Sequence, residues 1–220
     1  MKPIVMKRLA LSIAVAALMA GALTACVPLI VGGAVAGGSL MATDRRTSGT
    51  QVEDEGIELR ADSRIRSTLG TRVRVSVTSY NRQVLLTGEV PNLQDKQLVE
   101  QVVSGVENVA SVVNELVVLN SPSLVQRSSD LLVTGRVKAV LLDTRDLQSN
   151  AFKVVTERGT TYLMGRVTQR EADLATEVVR GTPGVQKVVR IFEIISQDEL
   201  MHMLPAPTKP QPAAATPAGG

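Results

Sequence analysis

Few side chains in this sequence have the type and spacing to do chemistry. Cys26 is the single cysteine and His202 the single histidine in 220 residues. A lone thiol can attack, bind metal or accept a modification, and its surroundings decide which. His202 stands beside the proline-rich tail and reads as an incidental surface residue rather than a base. Ser128-Ser129-Asp130 offers a hydroxyl and a carboxylate but no partner base, and reads as the N-cap region of a following helix. Asp173 and Glu177, four residues apart on one helix face, could form a carboxylate pair. Arg170 and Arg180 flank them at three residues on either side, which is the pattern of a solvated face. No His/Cys/Asp cluster has metal-ligand spacing, and no glycine-rich strand-to-helix loop is present to cradle a phosphate. The sequence argues against an enzyme and calls for no cofactor and no metal.

That leaves Cys26. It closes the stretch Leu23-Thr24-Ala25-Cys26, behind a basic start (Lys2, Lys7, Arg8) and an uncharged apolar run from Leu9 to Leu23. Basic end, apolar run and small residues at the cut are the parts of a secretory signal peptide. With cysteine after the cut, the stretch resembles the lipobox of bacterial lipoproteins, in which the thiol receives the lipid. Residues 1–25 are therefore expected to be a signal peptide and Cys26 the lipidation site. Val27 to Ala42 is too glycine-rich and too short of the ~20 apolar residues of a span, and reads as a tether against the membrane. Three acyl chains, which the lipoprotein resemblance implies, anchor a protein stably where one does not. Thr43 to Gly56 is polar and without period, so 26–56 is expected to be tether and linker, with the fold starting near Ile57.

Composition removes one class of partner. Three of the 24 Lys+Arg and none of the 21 Asp+Glu lie in 1–25, which leaves 21 against 21. The net charge of +3 belongs to the signal segment, and with two Tyr, two Phe and no Trp there is little for bases to stack on. Nucleic acid is not an expected partner.

The chain then repeats itself. Leu86, Gly88 and Val90 recur as Leu163, Gly165 and Val167, and Val75 and Val77 as Phe152 and Val154. One residue is lost near Pro91-Asn92. Leu98, Val102-Val103, Gly105 and Val112-Val113 then recur as Leu174, Val178-Val179, Gly181 and Val188-Val189. Charged positions do not keep the register, as with Glu100 opposite Thr176. Each copy reads as helix, strand, strand, helix, strand. In the first, Leu59, Ala61, Ile65 and Leu69 mark a helix, and Arg72 to Ser79 alternates as a strand. Tyr80-Asn81-Arg82 turns the chain into a second strand, Gln83 to Val90. Asn92 caps a second helix, and Val109 to Leu119 is a third strand. In the second copy Val133, Val137, Val140 and Leu141 mark the first helix, Gln169 to Arg180 is the second, and strands lie near 152–157, 161–167 and 185–195. Gly88 and Gly165 suggest a bulge or a close approach by the helix. Gly105 and Gly181 suggest left-handed helix ends, and Gly184 and Asn108 positive φ.

This unit, with Leu-x-Gly-x-Val in the second strand and a valine after Asn108 or Gly184, resembles the BON domain. Two copies behind a lipobox resemble the dual-BON outer-membrane lipoproteins. The expected fold is α+β: two tandem αββαβ domains at 57–120 and 131–195, each a three-stranded mixed sheet on two helices, with a disordered Pro/Ala-rich tail at 205–220. The resemblance implies a lipid-anchored, non-enzymatic protein on the periplasmic face of the outer membrane. It implies binding of anionic phospholipid through the second domain, gathering at division sites and support of envelope integrity. An adaptor role is the alternative it implies, with outer-membrane protein assembly machinery or regulators of cell-wall hydrolysis as partners.

The residues give a place for such contacts. Glu58–Leu119 holds 7 basic and 7 acidic side chains, whereas Leu131–Ile195 holds 10 and 7. The first helix of the second copy sets Leu131, Leu132 and Val133 beside Arg136 and Lys138. Cations attract an anionic surface and leucine inserts into it. The residues by themselves leave open whether Leu132 and Val133 are core and Arg136 and Lys138 a solvated face. The resemblance favours lipid, although the family has an exposed aromatic where this chain has Leu132. The candidate phospholipid-binding residues are Leu132, Val133, Arg136 and Lys138.

Overall fold

The structure, a computed structural model, describes residues 44–119 and 124–203. The signal segment 1–25, Cys26 with most of the tether, and the tail 205–220 lie outside the described residues. The first domain runs α1 (Ser48–Leu69), β1 (Arg74–Tyr80), β2 (Gln83–Val90), α2 (Leu93–Ser104), β3 (Ser111–Asn114) and β4 (Val117–Val118). The second runs α3 (Leu124–Asp143), a 3-10 turn (Ser149–Ala151), β5 (Phe152–Glu157), β6 (Thr160–Val167), α4 (Gln169–Arg180), β7 (Lys187–Ile194) and a short α5 (Gln197–Met203). β2 lies between antiparallel β1 and parallel β3 and β4; β6 lies between antiparallel β5 and parallel β7. Both sheets are mixed, so the α+β class and the αββαβ order hold.

The third strand of the first domain is two pieces rather than one run. Asn114 Nδ2 donates to the Lys96 carbonyl and its Oδ1 accepts from Leu116 N–H, drawing the chain toward α2. Leu116 drops into the core there, and pairing with β2 resumes at Val117.

Each domain buries one helix stripe against one sheet face. Ile57, Ala61, Ile65 and Leu69 of α1 meet Val84, Leu86 and Val90 of β2 and Val99 and Val103 of α2. Val133, Val137 and Leu141 of α3 meet Leu163 and Val167 of β6 and Ala172, Ala175 and Val179 of α4. Fourfold spacing sets this stripe. Leu59, two residues from Ile57, therefore points away from it and is 73% exposed. Val133 has the opposite fate: it is 2% exposed, inside the second core.

α1 starts nine residues before Ile57, where a linker was expected. Thr47 caps it, its hydroxyl accepting from Thr50 N–H at 3.1 Å. The early turns lack an apolar period because a carboxylate holds them. Asp54, 1% exposed, accepts from the backbone N–H groups of Asn81 and Arg82 and from Ser79 Oγ. Asn81 and Arg82 both take positive φ in the β1–β2 turn, so the helix carboxylate pins a strained turn. The second domain repeats the device. Asp130 accepts from Arg158 and Gly159 N–H in the β5–β6 turn, again both at positive φ. Asp130 thus lies inside α3 rather than in its N-cap region, and these aspartates stand 76 positions apart, as Ile57 and Val133 of the two buried stripes do.

Gly88 and Gly165 are crowded by backbone of the neighbouring strand side, not by a helix. A Cβ on Gly88 would lie 2.1 Å from the Arg74 carbonyl oxygen, and one on Gly165 2.4 Å from that of Ala151. Gly88 also has φ 118°. Overpacking of this kind costs about 1–3 kcal/mol, so Gly88→Ala should lose about that much stability, read as a lower urea midpoint with unchanged slope. A midpoint equal to the parent's would refute the clash. Gly105 and Gly181 end their helices at φ −84° and −76°, without the left-handed conformation expected of them. Gly184 and Asn108 do take positive φ.

The second faces of the two sheets meet each other. On β2, Val84 and Leu86 enter the domain's own core while Leu85 faces the other sheet; on β6, Leu163 enters its core while Tyr162 and Met164 face across. Tyr80 and Ile191 complete this shared layer. Central strands covered on both sides read as unbroken apolar runs, as Val84-Leu85-Leu86 and Tyr162-Leu163-Met164 do. At its edge Glu89, 2% exposed, accepts from Arg74 at 2.5 Å and from Arg158 at 2.9 Å. Arg74 also pairs with Glu157, and Lys153 with Glu58.

Candidate membrane-contacting face

Helix α3 carries the arrangement of interest. With Val133, Val137 and Leu141 committed to the core, the opposite side of the helix is left to solvent. Leu131 (74%), Leu132 (63%) and Leu142 (74%) are exposed there, and Arg136 and Lys138 stand among them, exposed as well. Arg136 Nη1 reaches the Pro183 carbonyl at 3.3 Å. Among the described residues no carboxylate pairs with Arg136 or Lys138, whereas Arg74, Arg158, Arg166 and Arg170 each hold one. Two cations without counter-charge beside three leucines can be attracted by anionic headgroups and offer apolar surface to them.

Of the four expected contact residues, Leu132, Arg136 and Lys138 are exposed and Val133 is not; Leu132 and Arg136 lie on one flank of the buried stripe, and Lys138, with Leu131 and Leu142, on the other. Helical geometry decides it: Val133 is one turn from Val137 on the buried stripe. Leu142 was missed, and its signal was the i, i+7, i+11 spacing of Leu131, Lys138 and Leu142 on the same side. The repeat sharpens the contrast. The positions in α1 that match Leu131, Leu132, Lys138 and Leu142 hold Glu55, Gly56, Asp62 and Arg66, so the fold does not require leucine at these places.

The other candidates resolve as surface. His202 is exposed, its Nδ1 2.6 Å from the Asp198 carbonyl oxygen. Asp173 accepts from Gln169 and Arg190, and Arg170 turns instead to Asp146. Among the described residues no group of three His, Cys, Asp or Glu could hold a metal ion. None of their helices is long and apolar enough to cross a membrane.

A further polar centre closes α4. Thr168 and Glu171 form a capping box, and the Glu171 carboxylate is also gripped by Arg45, at 2.6 and 2.9 Å. Burial alone pushes the Glu171 carboxyl up; the bonds from Arg45 and Thr168 outweigh it and hold it below the usual range. Arg45 belongs to a stretch expected to be linker.

Comparison with known proteins agrees with the repeat. The BON domain family model matches residues 54–120 and 129–195. The outer membrane lipoprotein DolP of Haemophilus influenzae is 35% identical over 175 residues, 79% of this chain and 90% of that protein. The 21 kDa hemolysin of Actinobacillus pleuropneumoniae is 32% identical over 154 residues, 69% of this chain and 79% of that one. The osmotically-inducible protein Y of Escherichia coli is 31% identical over 117 residues, 52% of this chain and 58% of that one. Two matched copies spanning most of the folded residues, each with the same helix, hairpin, helix and parallel strand, place this chain in the BON-domain family, as a dual-BON protein of the DolP type.

Proposed function

We propose that this chain is an outer-membrane lipoprotein, acylated at Cys26, whose second BON domain docks on anionic phospholipid through the exposed side of α3. It works on the periplasmic face by adhering to the bilayer and supporting the envelope, at division sites among others, and catalyses no reaction. The observation that carries the reading is the exposed Leu131–Leu132–Leu142 group around Arg136 and Lys138, where the same helix of the first domain keeps the arginine, as Arg60, but carries Glu55, Gly56, Asp62 and Arg66 at the other four places. The DolP relative, named an outer membrane lipoprotein, supports the location.

Each cation near an anionic surface contributes about 1 kcal/mol. Leu132→Glu with Arg136→Glu reverses one cation and removes one inserting side chain, so affinity for phosphatidylglycerol vesicles should fall at least tenfold. Both side chains are exposed, so the unfolding midpoint should stay. Co-sedimentation with vesicles reads the result, and unchanged binding of the double variant would overturn the proposal. Cys26→Ser should move the protein out of the outer-membrane fraction; a variant that still fractionates there would overturn the anchor.

A further inference from the structure

Arg45 and Arg46 are consecutive, yet they reach into different domains. Arg45 donates from both terminal nitrogens to the Glu171 carboxylate and from Nη1 to the Arg166 carbonyl at 2.8 Å, all in the second domain. Its side chain is 3% exposed. Arg46 donates to Asp54 of α1 at 2.8 Å and lies 4.4 Å over the Tyr80 ring, both in the first domain. Tyr80 itself sits in the layer between the sheets, its hydroxyl directed at the Ala151 carbonyl of the second domain at 3.4 Å. Asp44 accepts from Arg46 N–H at 2.9 Å and from its guanidinium at 2.8 Å, which turns the two arginines apart. A bidentate guanidinium–carboxylate pair is directional and buried here, so it fixes the chain rather than merely attracting it.

Asp44 has a second neighbourhood. It lines a groove of about 430 Å³ with Lys138, Leu141 and Leu142 of α3 and with Ser149 and Asn150. The root of the tether therefore lies beside the helix whose exposed side is proposed to meet lipid. Only 17 residues lie between Cys26 and Asp44 in sequence, a reach of at most roughly 60 Å when fully extended.

We infer that Arg45 and Arg46 are a clasp: they fasten the root of the lipid tether to both BON domains at once, and so present the exposed side of α3 to the bilayer that holds the anchor. The inference rests on the lipid reading for its second half and on the geometry alone for its first. Anchor and helix then act as two attachments at one membrane, and the second engages at the high effective concentration set by a short link. Arg45 is a positioning residue; it touches no lipid.

The test uses the full acylated chain in vesicles of phosphatidylethanolamine and phosphatidylglycerol. With Cys26 acylated, Leu131→Cys supplies the chain's one free thiol for an environment-sensitive dye. Arg45→Met is combined with Glu171→Gln, because glutamine keeps the capping box and no buried carboxylate is left without its cation. In the parent the dye should be shielded from aqueous iodide. In the double variant iodide quenching should rise at least threefold, and the amides of Arg46 to Gln51 should exchange at least tenfold faster, while those of α2 do not change. Unacylated parent and double variant should bind phosphatidylglycerol vesicles equally. Unchanged exchange and quenching in the double variant overturn the clasp. A dye exposed in the parent overturns the lipid reading instead, and the exchange rates then decide the clasp by themselves.

Discussion

Asp54→Ala should lower the stability of the folded region by about 3–5 kcal/mol, the usual effect of removing one partner from a buried charge pair. The side chain has four donors: Ser79 Oγ, the N–H groups of Asn81 and Arg82, and the Arg46 guanidinium. Alanine leaves two turn amides and a largely buried cation without their acceptor. Asp130→Ala should cost less, about 1–3 kcal/mol, because the groups that donate to it here, Arg158 N–H, Gly159 N–H and Gln126 Nε2, are neutral. Urea denaturation of the two variants measures the order, and equal midpoints would refute the explanation. Acid supplies an independent check. Burial pushes the Asp54 carboxyl up, but the bonds from Ser79, Arg82, Arg46 and Asn81 outweigh it and hold it below the usual range. A lowered folded-state pKa stabilises above the unfolded value of about 4 and is lost as pH falls through the folded one. The gap between parent and Asp54→Ala should therefore be full at neutral pH and shrink at low pH.

Glu89→Leu should cost about 3 kcal/mol and act on the joint between the domains. Glu89 comes from β2 of the first domain, and one of its two arginine partners, Arg158, from the second. Removing the carboxylate takes a shared partner from two cations, one in each domain, although Arg74 keeps Glu157. The arginines are 27% and 32% exposed, so solvent screens part of the loss and the low end of the range for broken buried pairs applies. Adding Arg158→Met should restore much of the stability, since a buried ion pair exchanged whole for apolar groups is often neutral. A double variant as unstable as Glu89→Leu would show that the carboxylate acts through the first domain alone.

Much of this fold was legible because it depends on short-range pattern. Gln83–Val90, Gln169–Arg180, the Asn92 cap and the positive φ of Asn108 and Gly184 follow from alternation, helical spacing and turn chemistry. The start of α1 was not legible, since Asp54 and Thr47 hold it by polar contacts that leave no apolar period. The broken third strand depends on Asn114 finding α2, and the unused left-handed option at Gly105 and Gly181 on how the following turn is closed.

The candidate face divides the same way. Sequence alone set leucines beside cations at 131–138, and a resemblance to the lipobox made Cys26 the expected acyl acceptor. It could not tell Leu132 from Val133, because adjacent helix positions differ by about 100° and only the packed core says which way the stripe turns. Sequence determined two copies of one αββαβ unit, since each unit's period and glycines are local. Tertiary structure alone decided that Val133 is buried, that the two sheets meet face to face, and that Arg45 reaches Glu171 across 126 positions, because contacts between residues far apart in the chain leave no trace in the spacing of either.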